Sequence, residues 1–427
     1  MARRLWADGA IVAVGIMAGN VLSYGFSFAL SHQLGSTGYG QIGALLALFL
    51  VASIPATALQ AVTARRVATA TARDGGSAGD QVRALAGPLI RWSLLVGLAE
   101  AAAMLLLSPA LSAALPAVST AQVALTAVSL LPYTVISGYF GLAQGTSRFV
   151  VFTTLFIAMN AVKFGSGLFV GGAVGNPTVV MGAVAASWFA VCALCHYALR
   201  DLVTTRRLVR GDGYLRELGT ASWGMGAALM LSLLDGLLSA RYYRGPTLGS
   251  YQAGALFTRA GYFGPQFVAI LVYPRLAVPA TRRVALRAGV GASLAIGLAT
   301  TALVALGAGP LVRVAFGSHY TQGAAFSLES AAWLFTTAGA VQALVQLVQL
   351  DAVARGSAAV GRLVLGGIAA ELVALTAFAH RSPHELITTA AIVGTATAAA
   401  GLALAARARH PAALPVPAAE APSPAAA

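Results

Sequence analysis

The stretch SWGMGAALMLSLLDGLLSARYYRGPTLGSYQAGALFTRAGYFGPQFVAILVYPR, residues 222 to 275, has two apolar runs on either side of a short loop. Each run holds about 22 residues, the length an α-helix needs to cross a bilayer. The stretch reads as a transmembrane hairpin. Each arm carries one charge, Asp235 in the first and Arg259 in the second. A charge at membrane depth costs about 2.5–3.5 kcal/mol or more, so such residues face a protein interior or an aqueous cavity. Counted from a loop that ends near Gln252, both charges lie roughly 8–10 Å below the same membrane face. They are expected either to pair or to line one cavity. Asp235 then neutralises Arg259, or it is a carboxylate whose protonation alternates during transport.

The rest of the chain extends this pattern. Of 427 residues, 58% are hydrophobic and 9% are charged. A soluble surface carries about 25–35% charged residues, so the composition predicts an all-α polytopic membrane protein. Twelve spans are expected, near 9–31, 40–62, 86–108, 120–142, 149–171, 176–199, 218–240, 252–273, 288–309, 328–350, 363–380 and 386–406. The basic opening MARRLWADG runs into about 23 apolar residues, too many for a signal-peptide core, and is expected to be an uncleaved first helix.

The arginines set the orientation. With the N-terminus in the cytoplasm, 21 arginines fall in cytoplasmic segments and only Arg241, Arg244, Arg313 and Arg381 fall on the other face. This positive-inside bias predicts both termini cytoplasmic. It also accounts for the net charge of +14 by topology and anionic lipid headgroups, with no nucleic-acid partner. The segment from Arg200 divides the chain into an N-terminal lobe (1–199), a cytoplasmic linker (200–217) and a C-terminal lobe (218–406), two six-helix lobes around a central cavity. The Ala/Pro-rich tail (407–427) is expected to be disordered. A weak repeat supports the division. GALL at Gly43 and GALF at Gly254 are followed by Pro55 and Pro265, then by Arg65 and Arg275. Such repeats place a transporter's substrate between halves.

Several stretches carry a resemblance. They are LSHQLGSTGYGQIGALLALFLVASIPATALQAVTARRVA from Leu30, GLAQGTSRF from Gly141, the buried Asp235 with Tyr251, Arg259 and YPRLA from Tyr273, and LVRVAFGSHY from Leu311. In this order the chain resembles the bacterial polysaccharide (O-antigen-type) flippases of the multidrug/oligosaccharidyl-lipid/polysaccharide exporter superfamily. The resemblance implies two six-helix lobes, alternating access, and movement of a polyprenyl-pyrophosphate-linked oligosaccharide across the cytoplasmic (inner) membrane of a bacterium. It implies work alongside polysaccharide-assembly enzymes.

Such a cargo needs cations along its path. Lys163, the single lysine, lies in the fifth span near the expected depth of Asp235 and Arg259. Lys163 and Arg259 are the candidate cavity cations for the pyrophosphate, because ammonium and guanidinium groups replace its water and counterions. Lys163 can alternatively snorkel to the headgroups. Glu100 and Glu371 fall near mid-membrane and, with Asp235, are candidates for coupling to a proton or sodium ion; the alternative is a protonated carboxyl bonded to a neighbouring helix. Asn20, Asn160 and Gln60 line the cavity or join helices. Arg65, Arg66, Arg148 and Arg275 sit at cytoplasmic helix ends, as an entrance for phosphates or as topology anchors.

Other chemistries find no support in the sequence. Cys192-Ala193-Leu194-Cys195-His196 fits a haem-attachment pattern, but it lies inside a span, where the macrocycle has no room. No phosphate-binding GxxxxGK[ST] loop, metal-ligand spacing or catalytic triad is present. No cofactor, metal site or catalytic residue is expected, and an enzyme is not. The alternatives carried forward are a multidrug or small-metabolite exporter of the same superfamily and, with less support, a membrane glycosyltransferase or polymerase.

Overall fold

The computed structural model describes residues 2–73, 79–203, 213–276, 278–320, 326–355, 357 and 359–408. Part of the expected linker (204–212) and the tail from 409 lie outside the described residues. Among the described residues the chain forms twelve α-helices, one 3₁₀ turn (Ser318–Tyr320) and no strand. The helices are α1 (Ala2–Ala52), α2 (Ile54–Arg73), α3 (Asp80–Ala114), α4 (Thr120–Gly145), α5 (Phe149–Val174) and α6 (Pro177–Leu199), then α7 (Tyr214–Tyr242), α8 (Gly245–Leu276), α9 (Pro279–Phe316), α10 (Leu328–Ala354), α11 (Ala359–Ala377) and α12 (Pro383–Arg407). Among them nine are long and apolar enough to cross a membrane, and α7, bent by 47° between Trp223 and Gly226, makes a tenth. Large apolar side chains such as Leu106, Leu306 and Val314 remain exposed on the outside. Water does not tolerate so extensive an apolar exterior, whereas lipid does.

Helix starts follow the local sequence. Ser119 and Gln122 form a reciprocal capping box at α4. Asn176 caps α6, with Pro177 at its first position.

The first expected hairpin is built differently from a pair of simple spans. As one straight rod the 51 residues of α1 would reach about 77 Å, more than twice the hydrocarbon core. Gly35 interrupts it with φ 63° and ψ −177°, a conformation glycine adopts without a Cβ penalty. Phe28 before the break and Tyr39 after it both meet Phe316, at 5.4 and 6.3 Å between ring centroids. The chain therefore turns back at Gly35. The second expected span divides again at Ser53, beside Pro55, which lacks the N–H a helix requires. Pro265, its counterpart in the repeat, lies inside the continuous α8.

The helices α1 to α6 pack mainly on one another, as do α7 to α12, where α10 is the centre. The two sets meet along a seam. The part of α1 after Gly35 lies on α8, and a Cβ at Gly40 would come within 2.7 Å of the Gly249 nitrogen. Further along, Leu218 of α7 is buried with Ala58 and Leu59 of α2.

The arginine-rich end contains a sealed ion-pair network. Asp351 of α10 is 0% exposed. It accepts from Arg282 Nε and Nη2 at 2.7 and 2.9 Å, and from Arg355 Nε at 3.1 Å. Arg282 also donates to the carbonyls of Ala405 and Ala408. It thereby satisfies orphan acceptors at the end of α12.

Candidate functional site

Lys163 projects from α5 toward α1. Its Nζ donates to Ser23 Oγ at 2.9 Å and lies 5.2 Å from the centroid of the Phe26 ring. Arg259 reaches the same region from α8. It is near enough for its charge to act on Lys163 and on the phenols of Tyr24 and Tyr39. Tyr24 closes the gap by donating to the Leu256 carbonyl at 3.5 Å. Two cations, one from each set of six helices, thus converge beside an aromatic wall. Among the described residues neither makes an ion pair. Both are partly buried, where like charges repel more strongly than in water.

Asp235 does not neutralise Arg259. Its Oδ2 accepts from Tyr251 at 2.7 Å. The correction has a geometric cause. The helix α8 begins at Gly245 rather than near Gln252, which places Arg259 about 21 Å along its axis. Asp235 is only about 10 Å from the end of α7. Tyr251 is the residue at the matching level. Beside it Gln252 ties the same two helices by donating to the Gly236 carbonyl and Ser239 Oγ, at 2.8 and 3.0 Å.

Glu371 of α11 belongs to this second group. It is 0% exposed, and among the described residues its two carboxyl oxygens have no hydrogen-bond partner. The charge of Asp235 acts on it. Asp235, Tyr251 and Glu371 therefore form an acidic cluster apart from the cations. Glu100 is elsewhere, between α3 and α4, where Thr134 Oγ1 donates to its Oε2 at 2.5 Å.

Of the neutral residues, Gln60 joins α2 to α4 and Asn160 bonds within its own helix. Gln60 Nε2 donates to Gln144 Oε1 at 3.2 Å, and Asn160 Nδ2 donates to the Phe156 carbonyl. Tyr139 and Nδ1 of His196, from the Cys-x-x-Cys-His run, are 2.7 Å apart.

Three of the four arginines expected at an entrance hold carboxylates. Arg148 grips Asp201 through both terminal nitrogens at 3.1 and 2.6 Å. That bond holds the Asp201 carboxyl below the usual carboxylate range. Arg66 donates to Glu217 Oε2 from Nε and Nη2 at 2.9 and 2.7 Å, and Arg65 takes Oε1. Arg275 is exposed and has no ion pair among the described residues.

Glu217 and Ser23 are the participants that sequence reasoning missed, and Tyr251 stood out only as a motif residue, without its bond to Asp235. A lone acid in an arginine-rich segment was the available signal for Glu217. A hydroxyl at the start of the second arm was the signal for Tyr251.

No protein-family model and no curated sequence matches the chain. Solved structures do share its fold. An inward-facing multidrug resistance MATE family transporter of the MOP superfamily aligns with a TM-score of 0.72 and 12% identity, over 91% of this chain and 94% of that one. The lipid II flippase MurJ, in an inward closed conformation, aligns with a TM-score of 0.68 and 11% identity, over 92% and 87%. A MOP superfamily transporter from Pyrococcus furiosus, described by the reverse polarity of its binding pocket, aligns with a TM-score of 0.63 and 14% identity, over 93% and 94%.

Proposed function

We propose that the protein is a secondary-active transporter that moves a polyprenyl-pyrophosphate-linked oligosaccharide across the bacterial cytoplasmic membrane for cell-surface polysaccharide assembly. The observation that carries this reading is the approach of Lys163 and Arg259 on either side of Ser23 and Tyr24, with neither cation in an ion pair among the described residues. An anion placed there removes their mutual repulsion and gains charge-assisted hydrogen bonds from both. Lysine offers a point charge and arginine a planar fork, a combination suited to pyrophosphate oxygens. Because the two cations come from different halves, a bound anion also joins those halves, as alternating access requires. The fold shared with MATE and MurJ transporters supports the same reading.

Asp235 and Glu371 stand apart from the cations, so a proton or sodium ion taken up there does not compete with an anionic cargo for the same groups. Glu100 is a further candidate for coupling. The arginine-rich end is taken as cytoplasmic, with Arg65, Arg66, Arg148 and Arg275 at the entrance. The second reading is an exporter of cationic drugs or metabolites. It is favoured by the Asp235–Tyr251–Glu371 cluster, whose carboxylates and aromatic ring suit a cation.

Mass spectrometry of membrane lipids from a strain lacking the gene tests the proposal. The expected result is accumulation of a polyprenyl-pyrophosphate oligosaccharide in the inner leaflet, reversed by the wild-type gene and not by Arg259→Ala. An unchanged lipid-linked pool with intact surface polysaccharide would overturn it in favour of the exporter.

A further inference from the structure

We infer that Arg65 and Arg66 form a phosphate-binding site which Glu217 occupies in the empty protein, so that an arriving phosphate breaks a bridge between the two halves. This rests on the reading above for the identity of the natural ligand, though not for the existence of the site. Arg65 and Arg66 lie on α2, in the first set of helices, and Glu217 lies in the first turn of α7, in the second. One carboxylate is shared by two guanidiniums, Arg66 binding through two of its nitrogens and Arg65 on the other oxygen. The cluster therefore retains one uncompensated positive charge. A phosphomonoester brings about two negative charges and three acceptor oxygens. It matches the two arginines better than a single carboxylate does.

A second contact across the seam steadies Arg66 while a ligand displaces Glu217, since Tyr214 begins the same helix as Glu217. The Arg66 guanidinium lies 4.9 Å from the centroid of the Tyr214 ring. Tyr214 is 1% exposed and rests on Trp92 at 5.8 Å. Arg66 is thus held from below by an aromatic face. The Arg65 side chain is 68% exposed, against 20% for Glu217, so a ligand reaches it without unfolding anything.

The other carboxylate–arginine contacts do not have this character. Asp351 is sealed inside the second set of helices, and Asp201, just after α6, is bound by Arg148 at the start of α5, within the first set. Among the described residues, the bridge at Glu217 is the ion pair that is both reachable from solvent and placed across the seam. Its consequence is an ordering of events. The ion pair ties the halves at this end until a phosphate competes for the arginines, and loading then lowers the cost of separating them, leaving the apolar contact of Leu218 with Ala58 and Leu59 to part.

The test uses the full chain in vesicles, with Cys192 and Cys195 replaced by serine. Spin labels are placed on α2 and α7 by Thr69→Cys and Thr220→Cys, both exposed positions. Pulsed electron spectroscopy reads the distance distribution in phosphatidylcholine alone, with added phosphatidic acid, and with inorganic pyrophosphate. In the wild-type chain, phosphatidic acid is expected to raise the wide-to-narrow ratio roughly two- to fivefold, the range set by a partly exposed ion pair. Glu217→Gln should show that shift in phosphatidylcholine alone. Arg66→Lys, which keeps the charge and loses the fork, should respond more weakly. A response to pyrophosphate as well assigns the site to phosphate from either source, and a response to phosphatidic acid alone assigns it to a lipid headgroup. An unchanged wild-type distribution with phosphatidic acid overturns the inference, as does a Glu217→Gln distribution identical to wild type. No oligosaccharide or export is involved, so this outcome stands apart from that of the lipid analysis.

Discussion

Replacing Lys163 by alanine removes one of the two cations that converge between the halves, and the structure sets how much this should matter. A hydrogen bond to a charged group contributes about 1.5–3 kcal/mol, which is about ten- to 150-fold in affinity. Lys163 already donates to Ser23 and lies over Phe26 in the empty protein. It exchanges an existing bond for one to the ligand, which puts Lys163→Ala at the lower end, about tenfold. Arg259 makes no hydrogen bond or ion pair among the described residues, so Arg259→Ala should reach the upper end, about 100-fold. Both effects concern one anion, so they should not add. The double variant is expected to depart from additivity by about 0.5–3 kcal/mol. The assay is competition binding of a polyprenyl pyrophosphate to purified protein, with export measured alongside. Wild-type binding and export in both single variants would refute the cationic site. Effects that add to within about 0.3–0.5 kcal/mol would refute a single shared anion.

Asp351→Asn leaves two guanidiniums buried without their counter-charge and should cost about 3–5 kcal/mol of stability in detergent unfolding, much of it restored by also replacing Arg282 with methionine. Equal stability of Asp351→Asn and wild type would count against the network as described. If Glu371 couples a proton, Glu371→Gln should remain folded in the membrane yet lose the dependence of transport on a pH gradient; a retained dependence in both this variant and Glu100→Gln would remove coupling from these groups. The Asp201 carboxyl is held below its ordinary range by Arg148. Its stabilisation is therefore present above about pH 4 and lost as the pH falls through its lowered value. The stability gap between wild type and Asp201→Asn, small because the pair is half exposed, should close in acid; a gap that widened instead would reverse the assignment.

Much of the architecture was written in the chain at low resolution. The twelve expected spans all fall on helices, because about 20 apolar residues in a row leave the backbone little alternative in lipid. The breaks were harder to see. Gly35 falls in the polar SHQLGSTGYG stretch expected to join the first two spans, whereas Ser53 interrupts a run that reads as continuous, since a break of one residue leaves no polar signature. The site was legible as residue types and not as partners. Lys163 and Arg259 stood out as rare charges, but depth counted from an assumed loop misjudged where α8 starts. Depth also says nothing about azimuth. Arg259 lies eight positions after Tyr251 in α8, about 80° further round the helix. One therefore faces α1 and α5 while the other faces α7. The Asp351 network links α9, α10 and α12, and no local pattern announces a partner so far along the chain.

The glycine crossing where α1 meets α8 limits what substitution can do to this protein. A Cβ at Gly249 would run into the Ser36 carbonyl, and one at Gly40 would press on the Gly249 backbone. Neither obstacle is a flexible side chain that can swing aside, so the nearest larger residue is already a wedge. The closeness of the halves at this end can therefore not be tuned in small steps by mutation. An alanine at Gly249 would act as a doorstop one methyl group thick, holding that end ajar while leaving the rest of each bundle intact.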